Sequence, residues 1–202
     1  MRKIALRKTF AGKTCAITFI TLAISTFAHA QFLPSGGNGF VGYSYLHGQT
    51  FTLSNPFAAT GGPASMSGWE GSIEGRYLPW LGAVADLDWH YGGRDTRCFV
   101  GSCPPFRVNA SRDDLLFGPR VSKSFGKYRP FAQFLLGVAY QSDKGGGISN
   151  SDTTFATAFG GGVDYTLVRS LAFRGQIDVI HTSFFGGGQN TVRFSTGIVF
   201  RF

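Results

Sequence analysis

Three short patterns in this chain carry residue types that can do chemistry. Asp86-x-Asp88-x-His90 sets two carboxylates and an imidazole at alternate positions. On a strand, alternate positions share a face, so the trio has the composition of a metal or acid/base site. The same trio also suits an ion-paired interior in which arginines offset the acids, and that is the preferred reading. His181-x-Ser183 pairs a base with a hydroxyl nucleophile. Such a pair needs a third group, an acid that orients the imidazole. No Asp or Glu follows Asp178, so that role is unfilled. Gly37-x-Gly39-x-x-Gly42 matches a dinucleotide fingerprint in spelling alone, because its glycines precede an expected strand instead of opening a helix. Cys98 and Cys103 offer two thiolates, too few for a tetrahedral metal site. In an exported chain their spacing predicts a disulfide stapling one loop. No cofactor and no metal are expected.

Export is predicted from the first 30 residues. Arg2, Lys3, Arg7, Lys8 and Lys13 form a basic segment, an apolar run extends from Thr14 to Phe27, and Ala28-His29-Ala30 fits a small-x-small cleavage site. The run is too short for a stable span, and Cys15 lies in it without a lipobox. Cleavage there removes five of the 19 basic residues and none of the 11 acids, leaving a net charge of +3. The basic balance therefore belongs largely to the leader and gives no argument for nucleic acid.

The elements that must position these residues are strands. Beyond the leader no stretch has 18 consecutive apolar residues, long helical periodicity is absent, and alternation of period two recurs. It predicts strands at about 39–47, 67–77, 81–91, 113–124, 130–141, 153–165, 171–181 and 191–202. Most approach the ~9–11 residues of a tilted membrane strand. Short turns are expected near Leu78–Trp80, Phe125–Arg129 and Leu167–Ser170. Longer loops are expected near Gly48–Met66, Gly92–Arg112, Ser142–Asp152 and Thr182–Asn190. Short turns on one rim and long loops on the other are the layout of outer-membrane barrels. The glycine triplets Gly145–Gly147 and Gly186–Gly188 fall in expected loops, and Gly160–Gly162 in a strand, where small residues make room for large neighbours or a bend.

One face of nearly every strand is apolar and aromatic, and the other collects charges. Three features favour placing the charges inside and the apolar face against lipid. Tyr77, Trp80, Tyr128 and Tyr165 would ring the short-turn rim, and Trp69, Trp89, Tyr91 and Tyr140 the opposite one. The predicted interior holds acids and arginines together: Glu70, Glu74, Asp86, Asp88, Asp114 and Asp178 against Arg76, Arg120, Arg174, Arg193 and Arg201. The final residue, Phe202, is in phase with the apolar face.

The stretches "RPFAQFLLGVAY", "AFGGGVDYTL" and "VRFSTGIVFRF" resemble the outer-membrane β-barrel domain family of the outer-membrane protein A type, over about residues 38–202. The resemblance implies an all-β fold, an eight-stranded antiparallel up-and-down transmembrane β-barrel, without the peptidoglycan-binding domain of larger relatives. It implies that Phe202 serves as a signal to the barrel-assembly machinery. His181-x-Ser183 resembles the His-x-Ser pair of lipid A deacylases, whose acid follows on the last strand, where this chain has none. The expected organisation is a signal peptide over 1–30, a periplasmic lead-in over 31–38 and an outer-membrane barrel over 39–202. The expected protein is a non-enzymatic monomer surrounded by outer-membrane lipid, structural or interacting with an unknown extracellular ligand. Its lumen is expected to be polar and filled. An adhesin on the same scaffold is the alternative, followed by a lipid A-modifying enzyme using His181 and Ser183 or a narrow channel.

Overall fold

The computed structural model describes residues 36–49, 64–96, 106–145 and 148–202. The predicted leader and the Cys98–Cys103 staple lie outside them. Eight strands form a closed antiparallel barrel in chain order: β1 (Gly36–Gln49), β2 (Ala64–Arg76), β3 (Leu81–Thr96), β4 (Phe106–Ser122), β5 (Tyr128–Gly145), β6 (Ile148–Val168), β7 (Leu171–Thr182) and β8 (Gln189–Arg201). Each strand pairs with its sequence neighbours, and β8 closes on β1, with Val41 opposite Ile198 and Tyr45 opposite Phe194. Closure leaves no free sheet edge, so backbone donors and acceptors pair within the wall.

The strands run longer than the alternation predicts. Gly36, Gly37 and Asn38, placed by sequence in the lead-in, belong to β1: Gly37 exchanges backbone hydrogen bonds of 2.9 and 3.1 Å with Phe202. The glycines there carry no side chain to alternate. β3 and β4 continue as a pair up to Thr96 opposite Phe106, and β5 and β6 up to Gly145 opposite Ile148. The expected loops at Gly92–Arg112 and Ser142–Asp152 are thus largely hairpin extensions. Above the apolar band the contrast reverses on β4, where outward Asn109 is polar and exposed while inward Val108 and Ala110 are apolar and buried, so the pattern of the lower strand does not continue.

At the other rim the connections are tight. Phe125 and Tyr128 bond each other across a turn in which Gly126 takes φ +60°, a left-handed conformation that disfavours side chains with a Cβ. Pro119 interrupts the β4–β5 ladder between Phe117 and Arg120, because proline has no N–H to donate. The shortest strand, β7, has 12 residues. At ~3.3 Å per residue and a tilt near 40° it rises roughly 30 Å, enough for an apolar band of about 25 Å.

The sidedness is inverted relative to a soluble barrel. Val41, Ile73, Phe117, Phe134, Phe159, Phe173 and Phe194 point outward and are exposed. Glu70, Asp86, Asp88, Arg112, Arg174 and Arg193 point inward and are fully or almost fully buried. At the long-loop rim Trp69 and Trp89 are opposed in register and stack with centroids 4.3 Å apart. At the short-turn rim Tyr128 and Tyr165 are opposed and tilted, 5.2 Å apart.

Candidate functional site: the charged lumen

Alternation aims one residue in two at the barrel axis, and closure brings inward side chains of distant strands together. The centre of the interior is Arg193 on β8. Its Nη1 donates to Asp86 Oδ1 at 2.7 Å and to Asp88 Oδ2, both on β3. Its Nη2 donates to Asp178 Oδ2 on β7 at 2.9 Å, and its Nε lies 3.5 Å from Glu70 Oε2 on β2. One guanidinium thus meets four carboxylates from three strands. Arginine suits this role because its planar fork offers five donors in fixed directions. Glu70 is further held by Ser195 Oγ at 2.5 Å and Gln176 Nε2 at 2.6 Å.

A second group is linked to the first. Arg120 on β4 donates to Gln133 Oε1 at 3.0 and 2.6 Å and to Glu74 Oε2 at 3.1 Å. Gln133 Nε2 donates to Asp178 Oδ1 at 2.7 Å, joining the two groups across the lumen. Asn38 donates to the same Glu74 oxygen at 2.9 Å. Arg174 takes both oxygens of Asp164 at 2.7 and 3.0 Å. Phe131 lies between Arg120 and Arg174, 4.4 and 4.6 Å from its ring centroid, so the inner wall combines cation–π contact with ion pairing. Nearer the long-loop rim, Arg112 pairs with Asp114 at 2.8 Å and lies 5.4 Å from the ring centroid of Phe184, a buried residue of the short 3-10 turn Phe184–Gly186.

The trio Asp86, Asp88 and His90 does face one way, and its members are tied into the network: both acids share Arg193 Nη1, and His90 bonds Asp88. His90 Nδ1 is 3.0 Å from Asp88 Oδ1, and its Nε2 is 2.9 Å from Ser44 Oγ, which sits 3.0 Å from Ser195 Oγ. Acid, imidazole and hydroxyl are therefore in the order of a hydrolytic triad. All three are fully buried, so no substrate carbonyl can reach Ser44. Asp88 also holds Arg193, as a structural link in the network. Among the described residues no group of three or more His, Cys, Asp or Glu side chains is arranged to hold a metal ion.

Of the other sequence-predicted residues, Arg76 lies half-buried at the short-turn end of β2. Phe202 is exposed and bonded through its backbone to Gly37. His181 and Ser183 are exposed at the long-loop end, away from the lumen network. His181 Nδ1 is 2.8 Å from Asn190 Oδ1, so its orienting partner is an amide and not a carboxylate.

Gln133, Gln141 and Gln176 are buried on the polar face to which alternation assigns them. Sequence reading missed other interior residues: Arg112, Arg129, Asp143 and Ser195 are buried polar members, and Leu46, Met66, Val84, Leu116, Leu135, Ile180 and Phe184 form an apolar cluster inside the same lumen. Parity offers a signal: Leu135, between Phe134 and Leu136, is in phase with Gln133. The middle glycine triplet has a clear function of space. A Cβ on inward-facing Gly160 would lie 2.3 Å from Asp178 Oδ1 and 2.2 Å from the Ile177 carbonyl oxygen.

No protein-family model matches the chain, and no curated protein matches it in sequence. Solved structures do match in fold. Ail, the attachment invasion locus protein of Yersinia pestis, solved in complex with the heparin analogue sucrose octasulfate, superposes with a TM-score of 0.55 at 14% identity, covering 83% of this chain and 99% of Ail. Neisserial surface protein A superposes at 0.52 with 12% identity, covering 81% and 97%. The outer membrane protein OprG from Pseudomonas aeruginosa gives 0.52 at 10% identity, covering 84% and 97%. At these identities the likeness establishes the fold, an outer-membrane-type β-barrel.

Proposed function

We propose that this chain is an integral bacterial outer-membrane protein with a sealed lumen, and that its activity is surface interaction through the long-loop rim, not catalysis or transport. The observation that carries this reading is the inverted sidedness: exposed aromatic and branched apolar side chains around the wall, with acids and arginines cross-linked inside. Water would leave that wall unsatisfied, whereas hydrocarbon suits it. Both ends of the described barrel lie on the short-turn rim, which supports a reading with that rim in the periplasm and the long loops outside. Outer-membrane lipid and the barrel-assembly machinery are then the general partners. Ail, an attachment protein by name, supports a binding role for the long-loop rim by analogy of fold.

Fractionation tests the membrane assignment: recovery with the outer membrane, released only by detergent and migrating heat-modifiably on gels, is expected. Recovery in the soluble periplasm would overturn it. Replacing residues 50–63 and 97–105 by short turns should abolish adhesion to host-cell or polyanion surfaces and leave assembly intact. Adhesion unchanged in that variant would refute the surface-binding role. Ser183→Ala is expected to alter no acyl-release activity.

A further inference from the structure

At the short-turn mouth of the lumen the charges do not balance. Asp164 on β6 spends both oxygens on Arg174, at 2.7 and 3.0 Å. Arg129 is the direct cross-strand partner of Asp164 yet makes no bond to it. Arg129, buried as a residue, donates to Ser122 Oγ alone, from Nε at 3.1 Å and Nη2 at 2.7 Å. Arg201 reaches across from β8 to donate to Thr166 Oγ1 at 2.8 Å, and its Nη2 stays 3.9 Å from Asp164. Nε and Nη2 of Arg201 are buried with no hydrogen-bond partner. Three guanidiniums therefore surround one carboxylate that a single one already occupies. Buried donors without acceptors are costly, and crowded arginines suit a tetrahedral oxyanion, which accepts several N–H bonds at once.

We propose that Arg129 and Arg201, steered by Ser122 and Thr166, form a binding site for a phosphate group at the short-turn mouth of the lumen. The phosphate comes either from solution or from a phospholipid headgroup of the adjoining leaflet. The proposal borrows from the outer-membrane reading only the side on which the site opens; phosphate binding itself is measurable whichever membrane holds the barrel.

The test is titration of the folded barrel with inorganic phosphate by calorimetry, in micelles of a phosphate-free alkyl glucoside and in the same micelles doped with phosphatidylglycerol. Saturable binding of equal strength in both, weakened at least tenfold in Arg129→Gln/Arg201→Gln and unchanged in the exposed control Lys123→Gln/Arg169→Gln, supports a solution phosphate. Binding in the pure glucoside micelles that phosphatidylglycerol competes away supports the headgroup source. Should the double variant fail to fold, Thr166→Val and Ser122→Ala keep both charges, and each should weaken binding several-fold. No saturable binding, or equal affinity in all variants, means an adventitious ion only and overturns the proposal.

Discussion

Arg193→Met is the sharpest single perturbation of this molecule. The substitution keeps a long apolar stem and removes the one cation that meets Glu70, Asp86, Asp88 and Asp178. All five side chains are buried, so the carboxylates cannot turn to solvent for compensation. Breaking one buried pair by removing a partner typically costs 3–5 kcal/mol. With four acids left facing one another the expected loss is at least about 4 kcal/mol, roughly a thousandfold in the folded-to-unfolded ratio. Urea titration in lipid vesicles, followed by tryptophan fluorescence and heat-modifiable mobility, measures it. Two further variants separate charge from packing. Arg193→Lys keeps the charge without the fork and should lose about half as much. Adding Glu70→Gln, Asp86→Asn, Asp88→Asn and Asp178→Asn to Arg193→Met removes the stranded charges and should recover part of the stability. If Arg193→Met lies within about 1 kcal/mol of the parent, well below the cost of a stranded buried charge, the network does not hold the lumen together as argued.

Three other outcomes follow from the same structure. Ile73→Arg, placed on the outer face between Trp69 and Tyr77, should destabilise the barrel by about 2–4 kcal/mol in bilayers, while a charge at exposed Asn109, near the long-loop end of β4, should cost little in the same urea assay. Gly160→Val should destabilise by at least about 1–3 kcal/mol, since its Cβ has no room beside Asp178 and the Ile177 carbonyl; folding yield in vesicles reads this directly. Planar bilayers should show no steady conductance on the porin scale, because Arg193, Arg120 and their acids fill the lumen; large open channels from folded monomer would contradict the packing.

The strand-by-strand alternation made the barrel legible, because lipid on one side and a packed lumen on the other impose different residue types along every membrane-crossing segment. Parity put Trp69, Phe117 and Val163 on the apolar face, and the aromatic rims, the mixed charges and the phase of Phe202 turned that face outward. The hairpin tops were not legible: around Asn109 the outward residue is exposed and polar while inward Val108 and Ala110 are buried and apolar, the reverse of the contrast in the membrane-crossing part. The interior was half legible. Charged Arg193 and Asp178 announced themselves, whereas Leu135 and Met66 look like lipid-facing residues until their parity is counted. Which acid meets which arginine was beyond reach, since closure sets separations that range from 2 residues for Arg112 and Asp114 to 107 for Asp86 and Arg193. The same holds for Ser44, an unremarkable hydroxyl until closure sets it against His90.

The two bonds between Gly37 and Phe202 have a consequence for the chain's connectivity. The ends of the ladder abut on one rim, so a linker of a few residues between 202 and 36 would bridge them without distorting any pairing. New ends opened within residues 97–105 would then yield a circular permutant with all eight strand neighbours preserved. Mechanically, the ring has no first strand; the order in which the ribosome delivers β1 to β8 is one of several cuts through the same loop of pairings.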